Sequence, residues 1–381
     1  MRCINFLIKP ASSLCNLRCR YCFYEDIAEN RACKSMGVMT AETAELLLTE
    51  AYGMLDGEGA VSFAFQGGEP TMAGLEFFRN FCGRARALAP AGAQVSFSIQ
   101  TNGTLLNEEW AELFAREDFL VGVSLDGFKD LHNAHRVDAQ GNDTWNRVIK
   151  NVRLLQKHKV RVNALCVVTG QCARSPEKTY HELKKLGFEY IQYIACLDPM
   201  GVKRGTMPFS LTPEAYGKFL CRVFDLWYDD WAQGKYTSVR LFDDYIHLLL
   251  GDGGGTCATC GQCGGYLVSE GDGTMYPCDF YVLDEWRLGK LGEQKLADMA
   301  AGPKMREFLD LGKDKPPECG QCPDQRLCNG GCKNDWYTDE AGNNHNYFCK
   351  SFRMLFDHGM DRMVRIARSE YALRCRLERH R

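Results

Sequence analysis

The sequence predicts an α/β protein: a partial barrel of six parallel strands alternating with helices, followed by a small cysteine-rich domain. Three observations carry this. Strand-like runs alternate with helical periods through the first two-thirds of the 381 residues, the composition turns to glycine and cysteine near residue 251, and eleven of the twenty cysteines fall into two groups at ligand-like spacings. Such alternation implies βαβ units with parallel strands and right-handed crossovers. Six strands suit a partial barrel better than a closed eight-fold one. An open, doubly wound sheet is the alternative, because periodicity does not distinguish open from curled sheets.

The first strand is the apolar run 3–8. Further strands are expected at 61–65 (VSFAF), 95–99 (VSFSI), 119–124 (FLVGVS), 162–168 (VNALCVV) and 190–197 (YIQYIACL), rich in Val, Ile, Phe and Tyr. Between them, 41–55 keeps Ala44, Leu47, Leu48, Ala51 and Leu55 at helical spacing behind Thr40 as N-cap. The segment 74–88 does the same with Phe77, Phe78, Phe81, Cys82 and Ala85. Asn107 is expected to cap 108–115, and Thr144 to cap 145–157. Ser175-Pro176-Glu177 reads as a helix start with Gly187 as its stop, and Thr212-Pro213-Glu214 repeats that start before 214–230.

Beyond 251, GDGGGTCATCGQCGG has no helical period. The region to about 350 is expected to be loop-rich and held by metal rather than by an apolar core. One hairpin is expected there, from 265–269 to 274–277 across Glu270-Gly271-Asp272-Gly273. A closing helix begins near 351, so the units drawn are 1–235, 236–350 and 351–381.

Hydrophobic content of 45% and charged content of 25% are ordinary for a globular protein. A net charge of −3 argues against a general nucleic-acid binder. The basic ending RLERHR reads as a solvated helix end. No segment has the length of a membrane span, and the apolar stretch of MRCINFLIKP is too short for a signal peptide. A cytoplasmic location is therefore expected, and there twenty cysteines suit metal ligation better than disulfides.

Cys15, Cys19 and Cys22 form C-x3-C-x2-C directly after the first strand, where α/β folds place their ligand sites. Three thiolates leave one iron of a four-iron cluster open to an exchangeable ligand, although zinc completed by a distant His or Cys fits the spacing too. Later, Cys257, Cys260, Cys263, Cys278, Cys319, Cys322, Cys328, Cys332 and Cys349 make nine thiols where two closed four-thiolate sites need eight, which leaves one of them spare. ECGQCPDQRLCNGGC is a strong metal signal that by itself fits zinc as well as iron. Cys166, Cys196 and Cys221 sit in strand or helix patterns and read as core.

CNLRCRYC, with Tyr21 before its last cysteine, resembles the radical S-adenosylmethionine (SAM) superfamily. One βα unit later, Gln66-Gly67-Gly68-Glu69-Pro70 looks like that family's SAM-binding motif, in which glycine lets backbone carbonyls reach the SAM ammonium. The resemblance makes Gly67, Gly68, Glu69, Ser124 in SLDG, Arg136 in HNAHR, Tyr21 and Leu197 contacts of SAM. Arginine matches a carboxylate geometrically. The later cysteines resemble a SPASM domain, which holds two auxiliary [4Fe–4S] clusters on interleaved ligands. That resemblance assigns Cys257, Cys263, Cys278 and Cys332 to one, and Cys319, Cys322, Cys328 and Cys349 to the other.

LIKPASSLCNLRCRYCFY, FAFQGGEPTMAGLEFF, QTNGTLL, LVGVSLDG, CLDP and YPCDFYVLDEWRLG resemble the anaerobic sulfatase-maturating enzymes, across nearly the whole chain. This implies three [4Fe–4S] clusters, SAM, and oxidation of Cys or Ser in a Cys/Ser-x-Pro-x-Arg segment of an unfolded sulfatase to Cα-formylglycine. It also makes Asp279, next to Cys278, the base, and implies a flavodoxin or ferredoxin as electron donor. Tyr24 and Gln66 lie beside the SAM motifs and are candidates for holding the peptide. A monomer is expected. Two alternatives remain: a thioether-forming SPASM maturase, disfavoured because the cluster motif already begins at residue 15, and a zinc-stabilised binding module.

Overall fold

In the computed structural model, which describes residues 2–55 and 59–379, the chain is built on one ten-stranded sheet. In chain order its strands are β1 (Arg2–Ile8), β2 (Gly59–Phe65), β3 (Gln94–Thr101), β4 (Leu120–Ser124), β5 (Arg161–Val168), β6 (Tyr190–Ala195), β7 (Ser238–Val239), β8 (Leu267–Ser269), β9 (Thr274–Tyr276) and β10 (Gly289–Lys290). Their spatial order is β10-β9-β8-β1-β2-β3-β4-β5-β6-β7. Strands β1 to β7 pair in parallel, each with the next. A doubly wound sheet reverses its strand order at a switch point. No reversal occurs from β1 to β6, so the six expected strands form a partial barrel and the doubly wound alternative falls.

Alternation along β2 drives Val61, Phe63 and Phe65 into the core. Phe65 meets Phe78 of the helix Leu75–Leu88 with ring centroids 4.8 Å apart. Thr40 accepts from the Thr43 amide at 3.2 Å and starts Ala41–Gly53. Asn107 does the same for Glu108–Arg116, and Thr212 for Pro213–Ala232. One expected cap differs: Trp145–Lys157 forms as a helix, but Thr144 makes no capping bond, whereas Pro176–Lys185 starts at Pro176 as expected. The Thr144 hydroxyl is drawn instead to the Arg136 carbonyl at 2.7 Å.

The expected hairpin is β8–β9, registered Val268↔Tyr276. It does not stand apart: β8 pairs in parallel with β1, Phe6 opposite Leu267, and so extends the barrel sheet. Leu267, Met275, Leu296, Met299 and Phe348 belong to the same apolar cluster as Phe63 and Phe65. The region expected to lack an apolar core is thus one into which the barrel core runs on. The closing helix, Cys349–Arg379, lies on Pro213–Ala232, with Ser351 donating to the Pro213 carbonyl at 2.7 Å and Arg362 on Asp225 at 2.7 Å. Arg376, Leu377 and Glu378 at its end are exposed, and the last two residues of RLERHR lie outside the described residues. Among the described residues no helix is long and apolar enough to cross a membrane.

Candidate active site and thiol clusters

The first thiol group hangs from the C-terminal end of β1. Leu17–Cys19 pairs antiparallel with Arg136–Asp138, Cys19 opposite Arg136, which pins the middle of the loop. Cys22 ends it as the N-cap of the helix Phe23–Glu29. Cys15, Cys19 and Cys22 are mutual electrostatic neighbours. Burial pushes Cys15 up to about 11 and Cys19 up to about 12, so thiolates form here only with a cation to share their charge.

Gln66 to Pro70 leave the end of β2 beside that loop. The Glu69 amide donates to the Leu14 carbonyl at 2.8 Å. Gly68 has φ +49°, and a Cβ there would lie 2.3 Å from that same carbonyl oxygen. Only glycine fits such a crossing. Buried Glu69 accepts from Thr71 and Thr101 hydroxyls at 2.6 and 2.7 Å, and from the Thr71 and Asn102 amides at 3.1 and 2.7 Å. Its carboxylate ties β2 to β3, which leaves its backbone as the part able to meet a ligand.

At the end of β4, Ser124 accepts from Gln100 Nε2 at 2.9 Å and keeps its own proton to donate. Two residues on, Asp126 holds Arg136 bidentately, Nε to Oδ2 at 3.0 Å and Nη2 to Oδ1 at 3.3 Å. Asp126 also accepts from the Tyr21 hydroxyl and, at 3.0 Å, from the Val167 amide. The remaining Arg136 nitrogen, Nη1, points towards Cys19 Sγ at 4.0 Å. Beneath, His132 Nδ1 accepts from the Asp126 amide at 3.4 Å and Nε2 meets Thr144 Oγ1 at 3.0 Å. Leu197 lies partly buried just past β6.

Asp279 opens a single 3-10 turn, Asp279–Tyr281, directly after Cys278. The turn sends Asp279 towards the helix after Cys22: Phe280 packs on Phe23 at 5.0 Å, and Asp279 Oδ2 accepts from Tyr24 at 2.6 Å and Gln66 at 3.4 Å. Asp279 is 3% exposed, and Oδ1 has no hydrogen-bond partner. Burial raises its pKa, against the pull of nearby Lys9 and the Tyr24 hydroxyl. Lys9 in turn lies 3.3 Å from buried Glu270, which also holds Arg31 at 2.7 Å.

The later thiols separate into two sets. Cys263 neighbours Cys257, Cys278 neighbours Cys257, and Cys332 neighbours both Cys278 and Cys263. Cys328 neighbours Cys349, Cys319 and Cys322. Cys260 is exposed and turns to the Gly254 carbonyl. Among the described residues no three His, Cys, Asp or Glu side chains converge tightly enough for one ion. A four-iron cluster has its irons at separate corners and takes its thiolates from further apart than a single tetrahedral ion does. Sets made only of half-buried thiols fit such a group.

The family model of the radical SAM superfamily matches residues 10–183. That of SPASM, an iron-sulfur cluster-binding domain, matches 255–323 and stops short of Cys328, Cys332 and Cys349. A cysteine-type anaerobic sulfatase-maturating enzyme of Clostridium novyi (strain NT) is 40% identical over 97% of this chain and 98% of its own. The chain belongs to the anaerobic sulfatase-maturating enzymes. A serine-type member from Bacteroides thetaiotaomicron is 31% identical over 92% of this chain and 88% of its own. The solved structure of native anSMEcpe with bound AdoMet and Cp18Cys peptide superposes with TM-score 0.91 at 40% identity, covering 97% of this chain and 99% of that one.

Set against this family, the residues singled out in the sequence gather at the strand ends as follows. Cys15, Cys19, Cys22, Gly68, Glu69, Tyr21 and Arg136 are linked through the contacts above, and Gly67, at φ +90°, lies against the Lys9 side chain. Tyr24 and Gln66, candidates for holding the peptide, both engage Asp279. Asp126 and the Lys9–Glu270–Arg31 cluster escaped sequence reasoning. SLDG had drawn attention to Ser124, and an aspartate after a strand reads as a turn former. Glu270 sat in an expected turn, far along the chain from both its cations.

Proposed function

We propose that this protein oxidises the Cys or Ser side chain of a Cys/Ser-x-Pro-x-Arg segment in an unfolded sulfatase to Cα-formylglycine, without O2. The observation that carries the reading is Asp279: a buried carboxylate beside Cys278, held on one oxygen by Tyr24 and Gln66 and free on the other. When bound, SAM on the open [4Fe–4S] cluster supplies the hydrogen-atom acceptor, and the two auxiliary clusters supply the acceptor for a further electron. Cys15, Cys19 and Cys22 would hold the first. Cys257, Cys263, Cys278 and Cys332, and Cys319, Cys322, Cys328 and Cys349, would hold the others. The Gly67–Glu69 backbone, Ser124, Arg136 Nη1, Tyr21 and Leu197 would hold SAM.

The substrate Cβ must lose a hydrogen atom, then its thiol or hydroxyl must lose a proton as one more electron leaves. Asp279 Oδ1 takes that proton. Tyr24 and Gln66 fix Oδ2 and so aim Oδ1, while burial keeps water from taking the carboxylate's lone pairs. A cysteine substrate gives a thioaldehyde, which hydrolyses to the aldehyde with loss of hydrogen sulfide. The 40% identity to a cysteine-type enzyme, against 31% to a serine-type one, supports cysteine as the preferred residue. A small flavodoxin or ferredoxin serves as electron donor. The test is anaerobic incubation with reductant, SAM and paired Cys-x-Pro-x-Arg and Ser-x-Pro-x-Arg peptides, read by mass spectrometry. Formylglycine from the Cys peptide at the higher rate is expected; a thioether product, or none, would refute the reading.

A further inference from the structure

Lys333 directly follows Cys332, in the turn Lys333–Asp335. Lys333 is half-buried, and its ammonium turns inward where a lysine beside a loop normally snorkels to solvent. It donates to the Phe308 carbonyl at 2.9 Å and sits 3.3 Å from the centroid of the Phe308 ring. Tyr281 and Trp286 close the cage at 4.7 and 5.5 Å. The three rings brace one another edge to face, Tyr281 on Phe308 at 5.2 Å, Trp286 on Phe308 at 5.4 Å and Tyr281 on Trp286 at 6.0 Å. Tyr281 belongs to the same turn as Asp279, and its hydroxyl also neighbours Cys332, Cys278 and Cys263.

The cage is built on two ligands of the first auxiliary set: Cys332 caps the turn that carries Lys333, and Cys278 caps the turn that carries Tyr281. Burying an ammonium is expensive, and an apolar side chain would fill an aromatic box at less cost. A cage of π-faces holds a cation in place without neutralising it. The charge is therefore the feature the site retains, held beside one thiol set.

We propose that Lys333 is a positioning residue for the electron-accepting step, a fixed cation that raises the reduction potential of the group held by Cys257, Cys263, Cys278 and Cys332. Adding an electron to a thiolate-ligated cluster adds negative charge, and a cation close by in a partly dry setting stabilises that reduced form. A higher potential makes that group the better sink for the electron that leaves as Asp279 takes the proton. The proposal rests on the auxiliary-ligand reading given above.

The test uses the full-length chain with Cys15→Ala, Cys19→Ala and Cys22→Ala, reconstituted anaerobically and titrated electrochemically with EPR detection. The chain with Lys333 should carry about eight irons and show two one-electron couples. Lys333→Met should move one couple to lower potential and leave the other in place, while Lys333→Arg keeps both where they were. Full iron content with neither couple moved, or both moved together, overturns the role of Lys333 alone. Loss of four irons in both Lys333→Met and Lys333→Gln makes the residue a structural prop and also overturns it. Iron missing from the chain that keeps Lys333 overturns the ligand reading and the proposal together.

Discussion

At the level of single residues, the proposed chemistry depends on which oxygen of Asp279 is tied and which is free. Asp279→Asn preserves the shape and should leave all three clusters in place, about twelve irons per chain, while peptide oxidation falls by at least a hundredfold, in the range a lost general base removes. Unchanged turnover in that variant would remove Asp279 from the mechanism. Tyr24→Phe deletes the 2.6 Å bond to Oδ2. A hydrogen bond to a charged group contributes about 1.5–3 kcal/mol, so turnover should drop by roughly tenfold or more. SAM cleavage should continue in both variants and become uncoupled from aldehyde formation, as a ratio of 5′-deoxyadenosine to product would reveal. The proposed base was legible in the sequence only through resemblance, because an aspartate beside a cysteine has an ordinary turn reading. Its partners Tyr24 and Gln66 were legible as residues near the site but not as its supports. Their bonds to Asp279 join residues more than two hundred positions apart, which no local pattern encodes.

Elements explain why the site holds its form. The GGEP turn crosses the loop before Cys15 at backbone contact, and Gly68 is the point of crossing. Gly68→Ala should cost about 1–2 kcal/mol for left-handed backbone alone. The clash with the Leu14 carbonyl comes on top, so SAM affinity should fall as the cluster loop shifts; equilibrium dialysis with radiolabelled SAM measures this. The segment after β4 holds a second support. His132 is fully buried, and burial pulls its pKa from 6.5 down to about 3. The folded pKa lies below the unfolded one, so protons favour the unfolded chain. The stability that neutral His132 contributes is whole above pH 6.5 and is lost as pH falls towards 3. Between pH 7 and 5 the loss from this group should be roughly 2 kcal/mol. Urea unfolding at both pH values should show a flatter pH dependence in His132→Gln; an equal slope in both chains would contradict this. Helix positions and most caps were readable from periodicity. Thr144 was misread because its hydroxyl has another use, the Arg136 carbonyl eight residues back in the His132–Arg136 network.

For the whole molecule, the two cysteine-rich regions are one construction. The strand alternation announced the barrel, and the change of composition near 251 announced a second region. What sequence could not announce was that β8 would pair with β1 and draw Asp279 over the helix that follows Cys22. Parallel pairing across so long a separation leaves no periodic trace. Because that hairpin shares the barrel's core, removing iron should lower the unfolding temperature of the whole chain rather than release a separate, independently melting piece; anaerobic calorimetry before and after chelation distinguishes one shifted transition from two. In the proposed reaction, hydrogen removal from the substrate Cβ is coupled to aldehyde formation at Asp279. A Cys-x-Pro-x-Arg peptide deuterated at Cβ, incubated anaerobically with SAM and reductant, tests it most directly. Deuterium should appear in 5′-deoxyadenosine in step with formylglycine in the peptide. Formylglycine without deuterium transfer, or deuterium transfer that ends in a thioether, would contradict the account.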